Sequence, residues 1–85
     1  MTNQNSITKK TIYETQNRQV ARYMKEHGPL ASIDALRLFG CWRLAARIYE
    51  LRKRGYVIKT ETVSTKDKTF AKYHLIQEPD VGRIV

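Results

Sequence analysis

Two arginines stand one helical turn apart in the segment Trp42-Arg43-Leu44-Ala45-Ala46-Arg47-Ile48-Tyr49-Glu50, and they are the side chains best suited to chemistry in this chain. A guanidinium is a planar fork of N–H donors that meets two acceptors at once, on a phosphate or on the O6/N7 edge of guanine. At 100° per residue, Arg43, Ala46, Arg47 and Glu50 fall opposite or beside the apolar stripe Leu44, Ile48 and Leu51. Ala46 between the arginines allows close approach, so these four form the expected base-reading set. Arg37, Trp42, Lys53, Arg54, Lys66 and Lys68 are expected on the nucleic-acid backbone, where lysine adds affinity without sequence information. The plainer alternative is a solvated helix face, on which a Glu50–Arg54 pair at i, i+4 contributes only about 0.3–0.5 kcal/mol.

Bond-making chemistry finds no support. There is no Ser/His/Asp, metal or phosphate-loop signature, and Glu50, Glu61 and Asp67 are too scattered to hold a nuclease metal. Cys41 is the only cysteine and lies far from His27 and His74, so neither a zinc site nor an internal disulfide is expected. It reads as a small buried filler and not as a nucleophile. The expectation is a protein with no catalytic residue, metal, cofactor or small-molecule substrate.

The arginines need a helix to present them. Residues 42–54 have the helical spacing, a length of about 20 Å at 1.5 Å per residue, and Gly55 in the C′ position after Arg52, Lys53 and Arg54. A shorter helix precedes it: Ser32 as N-cap, Asp34 in the first turn, Ile33, Leu36 and Phe39 or Leu38 facing inward, and Gly40 as the stop. The junction Gly40-Cys41-Trp42 offers no strong side-chain cap, which leaves helix N–H groups for water or a phosphate oxygen. For Trp42 the default is packing under the preceding helix, with stacking on sugar or a protein contact as alternatives. A first helix is expected over Thr15–His27, with Val20, Tyr23, Met24 and His27 in one stripe and Gly28-Pro29 ending it. Thr11-Ile12-Tyr13-Glu14 also fits a capping box that would start it a turn earlier.

After Gly55 the period changes from helical to alternating. Residues 56–62 and 69–76 read as strands around the polar turn Ser64–Lys68, with Tyr56, Ile58, Ala71, Tyr73 and Leu75 facing inward and Lys66 and Lys68 flanking Asp67 at the tip. An isolated hairpin is marginal, so this one must pack on the helices. The expected organisation is a flexible arm over 1–14, a folded domain over 15–76 and a tail over 77–85. The arm either frays or lets Lys9 and Lys10 reach a minor groove; the tail either folds back, is disordered, or touches a second subunit through Val81, Ile84 and Val85.

Composition agrees with a polyanion partner. Among 85 residues, 16 are Lys or Arg against 8 Asp or Glu, a net charge of +8 without any long like-charged block. So short a chain buries a modest core, which argues against a deep catalytic cavity. No secretory h-region or apolar run of spanning length is present, so a cytoplasmic, nucleoid-associated location in a bacterial cell and no membrane partner are expected.

The residues Ser32-Ile33-Asp34-Ala35, Phe39-Gly40-Cys41, Arg43-Leu44-Ala45-Ala46-Arg47-Ile48, Leu51-Arg52-Lys53-Arg54-Gly55-Tyr56 and Ala71-Lys72-Tyr73-His74-Leu75 resemble the small winged helix-turn-helix family common in bacteriophages and prophages. The resemblance covers residues 15–76. It implies a mainly α, three-helix fold with a small β-hairpin, the wing at 62–69, and binding of double-stranded DNA, but no target site. The expected function is therefore a sequence-specific DNA-binding protein, a small transcriptional regulator with helix 42–54 in the major groove, and a homodimer would give it symmetric contact. Two alternatives stay open: an architectural excision or replication factor that bends DNA, and a protein-interaction module using Trp42, Tyr49 and the apolar tail.

Overall fold

The computed structural model describes residues 9–79; the expected arm up to residue 8 and the tail beyond residue 79 lie outside the described residues. The chain runs α1 (Lys9–Glu26), β1 (Leu30–Ala31), α2 (Ser32–Phe39), α3 (Leu44–Lys53), β2 (Val57–Ser64) and β3 (Thr69–Gln77). The helices pack on an antiparallel sheet of order β1-β3-β2, so the expected hairpin gains a third, two-residue strand.

Helix α1 starts at Lys9, earlier than Thr15, and residues 9–14 therefore leave the expected flexible arm. Tertiary partners explain the extra turns: the Tyr13 ring lies under the Arg47 guanidinium, and Glu14 is bonded to Arg54. The inward stripe is Asn17, Val20 and Met24, all buried, with Tyr23 partly buried beside them. The helix closes with the His27 N–H donating to the Tyr23 carbonyl at 2.7 Å, and Pro29 prevents any further turn.

Strand β1 then pairs Leu30 with Tyr73 and Ala31 with Lys72. Two residues are too few to show an alternation, which is why the sequence did not announce it. The pairing has a consequence for α2. Ala31 must be extended, at φ −106° and ψ 163°, so Ala31 occupies the N-cap and the expected cap Ser32 becomes the first helical residue. Asp34 compensates by accepting from the Ala31 N–H at 3.4 Å. The inward face differs accordingly: Ala35 is fully buried and Phe39 packs on the core, while Ile33 and Leu38, two of the expected inward residues, are exposed. Gly40, at φ +65°, ends α2, and its N–H and that of Cys41 bond the Leu36 and Ala35 carbonyls, satisfying acceptors that a helix end leaves open.

The core joins all elements through Val20, Met24, Leu30, Ala35, Leu44, Ile48, Leu51 and Ile58, with Tyr56, Tyr73 and Leu75 from the hairpin packed against it as expected. The strands run slightly longer than expected, because Val63 and Ser64 continue the ladder opposite Phe70 and Thr69. Gly55 has two reasons to be glycine. Its φ is +102°, and a Cβ there would stand 3.1 Å from the Pro79 Cβ. Gly55→Ala is expected to cost about 1–3 kcal/mol, read from the urea unfolding midpoint; an unchanged midpoint would show that Pro79 and the turn yield freely.

Cys41, in the α2–α3 turn, is buried. Burial pushes its thiol above the ordinary range, against the lowering effects of a backbone hydrogen bond from Arg43 and the charge of Arg47. Since the folded pKa lies above the unfolded one, the stability that Cys41 contributes is full below about pH 8.5 and is lost as pH rises through the raised value. Cys41→Ala should flatten the loss of stability between neutral and alkaline pH; equal slopes in the two proteins would contradict this.

Candidate nucleic-acid interface

Helix α3 buries Leu44, Ile48 and Leu51 as its spacing requires, and it spans 44–53 instead of the expected 42–54. Trp42 and Arg43 belong to the turn before it, with Arg43 as N-cap at φ −124° and ψ 70°. Cys41 takes the inward place in that turn, and Trp42 is thereby turned out. The indole is 81% exposed, which corrects the default expectation that it packs under α2. The solvent face of α3 carries Ala45, Tyr49 and Lys53, with Ala46 half-buried at its edge. Tyr49 is 63% exposed, and the Lys53 Nζ lies 5.3 Å from its ring centroid, a cation–π contact that steadies both.

Arg47 departs most from expectation. It is only 5% exposed, its guanidinium lies 4.0 Å above the Tyr13 ring, and its Nη1 stands 3.7 Å from Glu50, beyond hydrogen-bond reach. Nη1 is buried without a hydrogen-bond partner among the described residues. Glu50, also in the expected base-reading set, accepts from Asn17 Nδ2 at 2.9 Å. Both residues therefore belong to the α1–α3 contact. The signal was present in the spacing, since Arg47 follows Leu44 by three and precedes Leu51 by four, the positions that share a buried stripe. Its charge concealed it.

Arg54, expected on the DNA backbone, is instead held bidentately by Glu14 at 2.7 and 2.9 Å. That hydrogen-bonded carboxylate pushes the guanidinium pKa further up and ties the end of α3 to α1. Arg52, outside the expected contact residues, has a structural part. Its Nη2 donates to the Ile58 carbonyl at 2.7 Å and to Thr60 Oγ1 at 3.1 Å, which covers part of the open edge of β2. Arg37 is exposed on α2, and Lys66 and Lys68 are exposed in the turn 65–68. Thr65 sets that turn: its N–H donates to the Lys68 carbonyl at 2.7 Å, and its Oγ1 accepts from the Lys68 N–H at 3.1 Å.

Between α1 and the start of α3 lies a cleft of about 370 Å³, lined by Tyr13, Gln16, Trp42, Arg43, Ala46 and Arg47. Among the described residues, no side chain caps α3, no group of three His, Cys, Asp or Glu could hold a metal ion, and no helix is long and apolar enough to cross a membrane. The arrangement as a whole is a short helix presenting aromatic, small and cationic side chains, beside a hairpin with lysines at its tip. A family model described as a winged helix-turn-helix domain matches residues 15–78. No curated protein and no solved structure matches the chain.

Proposed function

Since the chain belongs to the winged helix-turn-helix domain family, we propose that it is a sequence-specific double-stranded DNA-binding protein, a small transcriptional regulator of phage or prophage type. It acts in the bacterial cytoplasm by occluding or recruiting, without catalysis. The observation that carries this reading is the exposed face of α3 on a chain of net charge +8. Ala45, Ala46 and Tyr49 approach base edges in the major groove, Trp42 and Lys53 flank them, and Arg43 lies on the side nearer phosphate. Lys66, Lys68 and Arg37 add backbone contacts. Arg47, Glu50 and Arg54 support the helix from α1 and contact no base.

The test is selection from a randomised duplex library, followed by anisotropy titrations of the winners across salt concentrations. One enriched motif, with log K falling by about 0.9 per neutralised phosphate along log[salt], is the expected result. A palindromic motif would indicate two copies on one site. Absence of enrichment would favour a second reading, a protein-interaction module, which the exposure of Trp42, Tyr49, Ile33 and Leu38 supports. In that case Trp42→Ala abolishes partner binding and Arg43→Ala leaves it intact.

A further inference from the structure

We infer that α3 reads the 5-methyl groups of thymine, so that the duplex it selects is defined by where those methyls stand in the major groove. This specificity rests on the DNA-binding reading and names what that helix recognises. It follows from what the fold has already done with the longer polar side chains of α3. Arg47 is buried, with its guanidinium 4.0 Å above the Tyr13 ring. Glu50 accepts from Asn17 Nδ2 at 2.9 Å. Arg52 donates to the Ile58 carbonyl at 2.7 Å and to Thr60 Oγ1 at 3.1 Å. Arginine and glutamate are the side chains that would pair with the guanine O6/N7 edge or accept from the cytosine amino group. On α3 each of them is committed to a partner inside the domain.

The outward face is left with Ala45, Tyr49 and Lys53, and with Ala46 half-buried at its edge. Two methyl groups and an aromatic ring present no fork of donors and acceptors. The major groove offers such a surface one matching feature, the thymine methyl, which alone among the base edges there is apolar. Size favours the same contact, because Ala45 and Ala46 let the helix approach closely enough for methyl to meet methyl. Ala45 and Tyr49 stand one turn apart, about 6 Å along the axis, so the methyls they meet belong to neighbouring base pairs. The Lys53 Nζ, 5.3 Å from the Tyr49 ring centroid, steadies that ring and keeps a charge at the flank for the backbone.

The experiment uses the full chain and the tightest duplex from the library selection. At each thymine of the motif, anisotropy compares thymine, uracil, 5-methylcytosine and cytosine, each with its matching partner base. Uracil removes the methyl alone, whereas 5-methylcytosine keeps the methyl and exchanges the acceptor beside it for a donor. At the positions that α3 reads, thymine and 5-methylcytosine should bind alike. Uracil and cytosine should both be weaker by about fourfold per methyl, the scale of one carbon taken out of water. Tyr49→Ala, at an exposed position, should abolish the uracil penalty at one of these base pairs, and Tyr49→Phe should retain it. Ala45→Gly, with its thermal midpoint as the check on folding, should abolish the penalty at a neighbouring base pair. Thymine equal to uracil throughout the motif overturns the inference and leaves the DNA reading intact, with hydrogen bonds or duplex shape as the signal. A uracil penalty untouched by Tyr49→Ala and by Ala45→Gly puts the methyl contact outside α3 and overturns it as well. If no duplex is enriched or bound, the DNA reading itself fails and the methyl reading falls with it.

Discussion

Ala45→Glu should reduce affinity for the selected duplex on the order of a hundredfold while leaving the unfolding midpoint unchanged or slightly raised. Ala45 is exposed on the outward face of α3 and near its N-terminus, so a carboxylate there has room and is favoured by the helix dipole. The same carboxylate in a major groove meets the repulsion of two phosphate backbones and must lose hydration without a partner. Ala45→Gln separates the two causes: nearly equal in size and uncharged, it should lose far less. The pair is measured by anisotropy at one salt concentration, with thermal unfolding as the check on folding. Full affinity in Ala45→Glu would move the DNA surface away from α3.

The largest stability effect is expected at Leu44→Ala, about 3–4 kcal/mol, from the lost transfer of a buried isobutyl group and the cavity left behind. Leu44 is 1% exposed and packs in the single cluster shared by all three helices and the hairpin. In so small a domain 1 kcal/mol moves the midpoint by about 4–8 °C, so the melting temperature should fall by roughly 12–30 °C. Leu38→Ala is the counterpart, an exposed leucine on α2 whose removal should change stability by no more than about 0.5 kcal/mol. Equal losses at the two positions would mean that α2 buries Leu38 in solution.

The contrast between those two leucines marks what a sequence can tell. Periodicity located α3, its buried stripe and the hairpin, because Leu44, Ile48 and Leu51 repeat at i, i+4, i+7 within one helix and Tyr73 and Leu75 alternate within β3, opposite Ile58 of β2. The face of α2 was not legible in the same way, since its rotation follows from the extended Ala31, which follows from pairing with a strand forty residues later. Two of the four residues of the expected base-reading set, Arg47 and Glu50, are drawn into the α1–α3 contact for a related reason. Arg47 and Glu50 are polar, a character that points outward in a local pattern, yet Tyr13 and Asn17 of α1 provide a ring and an amide that make a buried charge tolerable. Their partners are separated from them by more than thirty residues, and no local pattern records such a pairing. Arg43, Lys53 and the tip lysines are exposed, and Ala46 is half-buried at the edge of the same face.

The two-residue strand β1 also governs when this domain can exist. Leu30 is fully buried, and the strand that pairs with it, β3, is the last element of the described chain. A nascent chain halted at Tyr56 would hold all three helices without the Tyr73 and Leu75 side chains that close over their core. Such non-local closure slows folding relative to a purely helical bundle, and it postpones the final fold until β3 has emerged from the ribosome. The helix that would read a groove is therefore made early and held in place late, so that its surface is fixed only once β3 has joined the fold.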